Sequence, residues 1–313
     1  MGSLRYIFGP VLSRRLGRSL GVDVIPRKTC TLDCVYCELG LTDKRALRRM
    51  EYVPASDVIG EVRVALSRPD RIDMITFSGS GEPTLNSSLG TMIRSIKGFT
   101  RIPIAVLTNG TLLSLPEVRK DLMEADVVLP SLDAATVENF EKVNRPHPKL
   151  QLGRILEGMR IFRREYSGQI WLEILLIRGI NDRNEEISLL KQIIDEINPD
   201  KVQLNTVVRP PAVEGILPVR RADLEKICSF LGPKCEIIGF AEHDESLPPG
   251  QADTDRVLAL LSRRAMTLAE ISSSLAAPLN IVQQLLDKLG SQEMIHTFEF
   301  EGKHYFGTTR TPA

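Results

Sequence analysis

The chain has 313 residues, and its 40 basic side chains balance its 40 acidic ones. A net charge of zero gives no general attraction to nucleic acid or to a membrane surface. The most apolar stretch, IWLEILLI, is interrupted by Glu173 and is too short to cross a bilayer. No secretory signal is visible in the first ten residues and the cysteine count is odd, so we expect a cytoplasmic protein with no disulfide framework and no membrane partner.

Six short apolar runs recur along the first two thirds of the chain, with helical patterns between them. The runs are rich in Val, Ile and Leu, which is typical of parallel strands covered on both faces. They are GVDVI, IDMITF, IPIAVL, DVVLPSL, IWLEILLI and KVQLNTVV. A strand followed by a helix, repeated about six times, predicts an α/β fold with helices outside a parallel sheet. Chemistry is expected beyond the carboxyl ends of these strands.

The last quarter of the chain has a different pattern. The stretch HDESLPPGQADTD lacks periodicity, which predicts a first domain over 1–243, a linker over 244–252 and a second domain over 253–313. Three helical segments follow, and the alternation in MIHTFEFEGKHYFGTT predicts a β-hairpin. Three helices and a hairpin in about sixty residues predict a winged helix.

Three of the five cysteines lie in the loop after the first predicted strand, with the spacing C-x3-C-x2-C. Cys30, Cys34 and Cys37 would share one face of a helix, but their neighbours are polar, which argues against a buried stripe. A structural zinc would need a fourth ligand, and His147 is the nearest histidine in sequence and remote. Three thiolates instead suit a [4Fe–4S] cluster whose fourth iron stays open to a ligand that is not protein.

This spacing, with Tyr36 before the last cysteine, resembles the radical S-adenosylmethionine (SAM) superfamily. The resemblance spans about Gly21 to Phe240 and includes TFSGSGEP, LTNGT and PSLDA, each after a predicted strand. In TFSGSGEP, the family pattern implies that the methionine amino group is received by the glycines and by Glu82. The SAM-site residues that the resemblance implies are Tyr36, Gly79, Gly81, Glu82, Asn109, Ser131 and Asp133.

The resemblance also implies an activity and a fold. It implies a partial (β/α)6 barrel in which a one-electron donor, flavodoxin- or ferredoxin-like, reduces the cluster. Reductive cleavage of SAM then gives a 5′-deoxyadenosyl radical, which abstracts hydrogen from a substrate in the barrel mouth. The stretch PVLSRRLGRSLGVDVIP narrows the resemblance to a branch described as Fe–S oxidoreductases, distantly similar to wyosine-synthase-like and molybdenum-cofactor-synthesis enzymes. RNA, protein and small metabolites all remain possible substrates.

Two polar groups are candidates for contact with the substrate. Basic residues ahead of the first strand form either a solvated face or a site for an anionic group. The end of the sixth strand, LNTVVRPP, supplies side chains that face the barrel mouth if the strand parity allows. The candidates are Arg14, Arg15, Arg18, Gln203, Asn205 and Arg209.

The alternative function is an iron–sulfur sensor of oxygen or iron that regulates transcription through its winged helix. Such a sensor would not need the three SAM-type motifs, which therefore favour an enzyme. The second domain holds six basic and seven acidic residues, whereas a DNA-reading domain should be basic. Duplex DNA is therefore not an expected partner, and we expect this domain to contact the barrel or to present a substrate.

Overall fold

The structure, a computed structural model, describes residues 4–13, 15–42, 44–238, 252–275 and 277–308. Its strands are β1 (Ile7–Ser13), β2 (Gly17–Val22), β3 (Thr29–Cys30), β4 (Lys44–Arg45), β5 (Met74–Phe77), β6 (Ile104–Thr108), β7 (Val127–Pro130), β8 (Gln169–Leu176), β9 (Lys201–Thr206), β10 (Cys235–Ile237), β11 (Ile295–Phe300) and β12 (Lys303–Thr308). Its helices are α1 (Ala55–Leu66), α2 (Leu89–Lys97), α3 (Pro116–Leu122), α4 (Val137–Asn144), α5 (Leu152–Glu165), α6 (Asn184–Ile197), α7 (Arg221–Leu231), α8 (Thr254–Leu261), α9 (Leu268–Leu275) and α10 (Leu279–Ser291).

One sheet of eight strands, in the order β1-β2-β5-β6-β7-β8-β9-β10, forms the centre of the fold. All neighbours in it are parallel except β1 and β2, which form an antiparallel pair. The six predicted strands are β2 and β5 to β9, so the α/β class with a mostly parallel sheet is confirmed. The sequence reading missed the two edge strands, β1 and β10.

The two faces of the sheet differ in what they bury. The outer face packs against helices, and α6 buries Ile187, Leu190 and Ile194 at helical spacing. On the inner face, Met74 at the start of β5 and Val127 at the start of β7 belong to a smaller apolar cluster. Farther along the strands, that face carries polar side chains, namely Thr76, Glu173 and Asn205. Because side chains alternate along a strand, these polar groups are directed to the enclosed side of the sheet, near the strands' carboxyl ends.

The three C-terminal helices and the antiparallel hairpin β11–β12 match the predicted elements and share a core of their own. This unit, residues 252–275 with 277–308, is called the C-terminal module below. Apolar contact with Val11 of β1 joins it to the sheet. Polar contacts add to this: Tyr305 Oη donates to the Val208 carbonyl at 3.1 Å, and Arg27 donates to the Ser262 carbonyl at 3.1 Å. The predicted linker lies mostly outside the described residues.

Among the residues that the structure describes, no helix combines the length and apolar character needed to cross a bilayer.

Candidate active site

The three cysteines lie in an extended loop and not on a helix, which rules out the buried helical stripe. Cys30 ends the short strand β3, and its carbonyl accepts a hydrogen bond from the backbone of Ala46 at 2.8 Å. Cys37 N–H donates to the Cys34 carbonyl at 3.1 Å, which curls the loop around its own sulfur atoms. The spacing therefore serves a loop that can wrap a ligand.

The cysteine side chains are partly buried, and the sulfurs of Cys30 and Cys34 receive amide hydrogen bonds. Burial, followed by the nearby Glu82, raises the pKa of Cys30 to about 12, and burial also raises the pKa of Cys34 and of Cys37. Buried thiols with raised pKa values become thiolates only with a compensating cation. Asn109 Nδ2 lies 3.4 Å from Cys30 Sγ, and Asn144 Nδ2 lies 3.5 Å from Cys34 Sγ. N–H groups aimed at sulfur are the contacts that orient and tune iron–sulfur ligands.

The arrangement of the ligands fits a cluster better than a single ion. Within the described ranges, no three or more His, Cys, Asp or Glu side chains form a site for one metal ion. In a cubane each cysteine binds a different iron, so the sulfurs need not converge on one point. Three partly buried thiols in a wrapping loop therefore fit a [4Fe–4S] cluster with three protein ligands.

The turn after β5, residues 79–82, packs directly on the cysteine loop. Glu82 N–H donates to the Thr29 carbonyl at 3.0 Å. A Cβ atom on Gly81 would lie 2.0 Å from that same carbonyl oxygen. Gly79 has a φ of +140°, and a Cβ atom there would lie 2.5 Å from Asp23 Cγ. Gly81 is thus required by close backbone approach, and Gly79 by its positive φ and the nearby Asp23 side chain, whatever ligand the turn holds.

The Glu82 carboxylate is buried and already hydrogen-bonded. Its side chain accepts from Thr84 N–H, Thr84 Oγ1 and Thr108 Oγ1 through Oε1, at 3.0, 2.6 and 2.6 Å. Oε2 accepts from the Asn109 N–H at 2.7 Å. Burial raises the pKa of Glu82, against the lowering effect of these donors. A carboxylate offers about four acceptor positions, two on each oxygen, and Oε2 accepts one hydrogen bond among the described residues.

The other residues predicted for SAM surround the cysteine loop. Tyr36 Oη donates to Asp133 at 2.5 Å, and Asn144 donates to the same carboxylate oxygen at 2.7 Å. Burial raises the pKa of Asp133 to about 6, although these donors partly offset the effect. A small void of about 20 Å³ beside the loop is bordered by Tyr36, Asn109, Ser131 and Asp133. The structure thus brings these four predicted residues together.

A larger cavity, of about 390 Å³, lies between the sheet, β1 and the C-terminal module. Tyr36, Cys37 and Gly79 form part of its wall, so it reaches the cysteine loop. Its volume is in the range of sites that bind small molecules. The charged side chains in its wall are Arg15, Glu38, Glu173, Arg209, Arg263, Arg264 and Glu270.

Comparison with known proteins fits this geometry. Residues 24–190, a little over half of the chain, match the profile of the Radical SAM superfamily. The chain belongs to the radical SAM superfamily. Membership implies an enzyme, and the two cofactors predicted from the sequence, a [4Fe–4S] cluster and SAM, are confirmed as those of this superfamily.

Individual relatives cover different shares of the chain. The UPF0026 protein MJ1312 of Methanocaldococcus jannaschii is 33% identical over 306 residues, which is 96% of this chain and 94% of that protein. A GTPase Obg of Brachyspira hyodysenteriae is 41% identical over 231 residues, or 74% of this chain. The chain spans 34% of that second relative, so the activity in its name is not carried over.

The fold has a solved counterpart. A radical SAM methyltransferase from Sphaerobacter thermophilus has a TM-score of 0.54 at 19% identity, covering 70% of this chain and 66% of that one. At this identity the likeness shows the fold alone. The winged-helix interpretation and the narrower likeness to wyosine-synthase-like and molybdenum-cofactor-synthesis enzymes stay predictions.

The structure separates the six substrate candidates of this radical SAM protein. Arg15, Asn205 and Arg209 line the cavity, whereas Arg18 and Gln203 do not. Gln203 is fully buried at a deeper level of β9, where it donates to Glu236 at 2.9 Å. Arg14, the remaining candidate, lies outside the described residues.

Sequence reasoning expected the C-terminal module to contact the barrel, but it missed the acidic partners of these arginines and the module residues that line the cavity. Glu173 lies 2.7 Å from Arg15 and accepts from Asn205 at 2.9 Å. Glu173 could have been identified from the sequence, because a glutamate inside an otherwise apolar strand is unusual. Arg263, Arg264 and Glu270 carried no such signal, because only the tertiary fold brings the module over the cavity.

Proposed function

We propose that the chain is a radical SAM enzyme that acts on a substrate held in the 390 Å³ cavity. The observation that carries this proposal is that one cavity is walled both by the cysteine loop, through Cys37, and by polar side chains of the sheet, through Glu173 and Asn205. The chemistry that the cofactors supply when bound is reductive cleavage of SAM to a 5′-deoxyadenosyl radical, which abstracts hydrogen from a substrate. The comparisons give no support to the alternative, a transcription regulator.

In this proposal Cys30, Cys34 and Cys37 hold the cluster. Asn109 and Asn144 stabilise the negative charge of the sulfurs through their N–H groups. The proposed SAM site is formed by Tyr36, Gly79, Gly81, Glu82, Asn109, Ser131 and Asp133. The grouping of Tyr36, Asn109, Ser131 and Asp133 beside the cysteine loop supports it, and Glu82 supplies the charged acceptor that a ligand ammonium needs.

The C-terminal module, which we propose to be a winged-helix-like domain over 253–313 after a first domain over 1–243, serves as the roof of the cavity. Asp23 supports this role, because its carboxylate accepts from Ser80 Oγ at 2.6 Å and from Arg263 Nη1 at 2.7 Å. The roof is thereby connected to the turn of the SAM site. A covered cavity excludes water, which protects radical chemistry from side reactions. We further propose a partial barrel, a cytoplasmic location and a flavodoxin- or ferredoxin-like electron donor.

The test is anaerobic incubation of the purified full chain with SAM and dithionite. We expect a brown protein with four irons and four sulfides per chain, as the [4Fe–4S] formula requires, that forms 5′-deoxyadenosine. Cys30→Ala, Cys34→Ala and Cys37→Ala should each lose the cluster and the product. Cys228→Ala and Cys235→Ala, whose thiols pack against the main core, are the matched controls and should keep both. A Cys30/34/37 triple variant with full iron, or a wild type that holds only zinc, would refute the proposal.

A further inference from the structure

We propose that the substrate is a small molecule with a carboxylate or phosphate group, and that Arg264 of the C-terminal module recognises this group inside the cavity. The inference rests on the proposed function, because it identifies the substrate class of the same cavity. Arg264 lies between α8 and α9, and its side chain forms part of the cavity wall.

Arg264 differs from the other arginines of the wall in its lack of a close partner. Within the described part of the chain its guanidinium makes no hydrogen bond, and its ion pair with Glu38 is long, at 3.9 Å. The other three arginines have close carboxylate partners: Arg15 with Glu173 at 2.7 Å, Arg209 with Glu38 at 2.9 Å and Glu270 at 2.8 Å, and Arg263 with Asp23 at 2.7 Å. The five N–H donors of Arg264 are therefore available to a ligand.

The surroundings of Arg264 disfavour its positive charge through burial and Arg209, and favour it through Glu38 and Glu270. Burial, and then the neighbouring Arg209, lower the pKa of Arg264. The side chain nevertheless keeps 32% of its surface exposed, at a position where it borders the cavity. A guanidinium in low-dielectric surroundings that faces a cavity favours a planar or tetrahedral oxyanion, which can accept two parallel N–H bonds. Ser274, on α9 in the same wall, makes no side-chain hydrogen bond among the described residues and offers a further donor.

The carboxylate of SAM is the competing occupant of Arg264. Residues that hold SAM throughout the superfamily are expected within the matched segment, 24–190, and Arg264 lies outside it. It belongs instead to the module that roofs the cavity, where contacts particular to one substrate are expected. The size of the cavity, about 390 Å³, also argues for a small molecule, and the Arg263–Asp23 and Arg209–Glu270 pairs hold the module over it.

The experiment is calorimetric titration of the anaerobic, cluster-loaded full chain with inorganic phosphate and with succinate, at constant ionic strength. We expect saturable binding of one probe by the wild type, and which one binds tells a phosphate-bearing substrate from a carboxylate-bearing one. Arg264→Gln should weaken that binding about tenfold to a hundredfold, because a charge-assisted hydrogen bond is lost. The affinity of Arg264→Lys for the probe should lie between those of the wild type and Arg264→Gln, because lysine keeps the charge but lacks the planar guanidinium. Arg256→Gln, the same change in α8 outside the cavity wall, should bind like the wild type.

Three outcomes would overturn the inference: equal affinity in wild type and Arg264→Gln, no saturable binding of either probe, or loss of probe binding when SAM is saturating. The last would assign Arg264 to the SAM carboxylate. Iron content and melting temperature show whether each variant is folded. If Arg264→Gln is not folded, the probe affinity of Arg264→Lys tests the inference instead. The titration needs neither reductant nor turnover, so it is read separately from 5′-deoxyadenosine formation, on which the proposed function depends.

Discussion

Glu82 shows how a single residue in the candidate SAM site serves both the fold and the ligand. Its four hydrogen bonds tie the turn after β5 to Thr84 and to the end of β6 at Thr108 and Asn109. Asn109 in turn donates to Cys30 Sγ, so the carboxylate fixes a residue that contacts the cluster loop. Removing the whole side chain would leave buried N–H groups unpaired, at a cost of about 1–3 kcal/mol for each.

The milder change Glu82→Gln therefore tests ligand binding with less damage to the fold. We expect this variant to bind SAM about tenfold to a hundredfold more weakly, because the ammonium loses a charged acceptor. Iron content should stay at the wild-type value, since the cysteines are unchanged. Equilibrium dialysis with labelled SAM under anaerobic conditions gives the affinity, and Glu225→Gln, at an exposed ion pair of α7, is the control. An unchanged SAM affinity would leave Glu82 with its structural role alone.

At the scale of elements, the sequence predicted the helices and strands whose residues form a local hydrophobic pattern. The six inner strands were found because both of their faces are covered, which leaves runs of Val, Ile and Leu. Strand β1 was missed because Gly9 and Pro10 interrupt its apolar residues like a turn. The structure accommodates them with a register irregularity between Phe8 and Val11 at the sheet edge, where proline is tolerated. Strand β10 has three residues, too few to give a pattern.

The residues of the candidate site also divide into those that local motifs predict and those that only the fold brings together. The cysteines, the glycines and Glu82 follow one another within short motifs, so spacing alone identified them. Arg209 was found at a strand end, but its partners Glu38 and Glu270 are distant in sequence on both sides. Such pairs depend on how elements pack, which local patterns do not record. The depth of Gln203 relative to Asn205 is a second case, because both lie on the same face of β9 and only the fold tells which reaches the cavity.

The pair between Arg209 and Glu270 predicts how contact between the sheet and α9 depends on pH. Burial alone would raise the pKa of Glu270, but Arg209, the Thr267 N–H and Arg264 together lower it below its usual value. A carboxyl with a lowered pKa in the folded state stabilises the fold above its unfolded pKa, about 4.3, and loses that contribution as the pH falls through the folded value. We therefore expect docking of the C-terminal module to weaken on acidification below about pH 4.

Urea unfolding between pH 3 and 7 measures this effect. Glu270→Gln should cost about 1–3 kcal/mol at neutral pH, because Arg209 loses a charged partner and keeps only Glu38. The same variant should lose part of the wild-type acid dependence. Glu225→Gln, at an exposed pair with Arg221 within α7, should change neither quantity. An acid dependence identical in wild type and Glu270→Gln would show that the pair does not control docking.

At the scale of the whole molecule, the module's position favours an enzyme over a transcription regulator. Arg263 and Glu270, which a regulator could turn toward DNA or leave in solvent, face the sheet and take part in ion pairs with Asp23 and Arg209. On α10, the helix that a DNA reader would place in the major groove, Gln283 donates to Asp287 at 2.7 Å. Lys288 is the one basic residue of that helix. Arg263 thus serves the docking of the module, and Arg264 borders the cavity.

The full chain should therefore show no saturable binding to random duplex DNA at micromolar protein and about 0.1 M salt. Phosphate contacts supply most non-specific affinity, and each requires a Lys or Arg that is free to release counterions. Fluorescence anisotropy with a labelled duplex measures this, and a salt series separates weak electrostatic attraction from a docked complex. As a matched control, a variant with Gln283, Gln284 and Asp287 replaced by Lys should gain salt-sensitive binding, which would show that the assay detects an exposed basic helix. Micromolar or tighter, salt-sensitive binding by the unmodified chain would contradict the charge argument and restore the sensor as a candidate function.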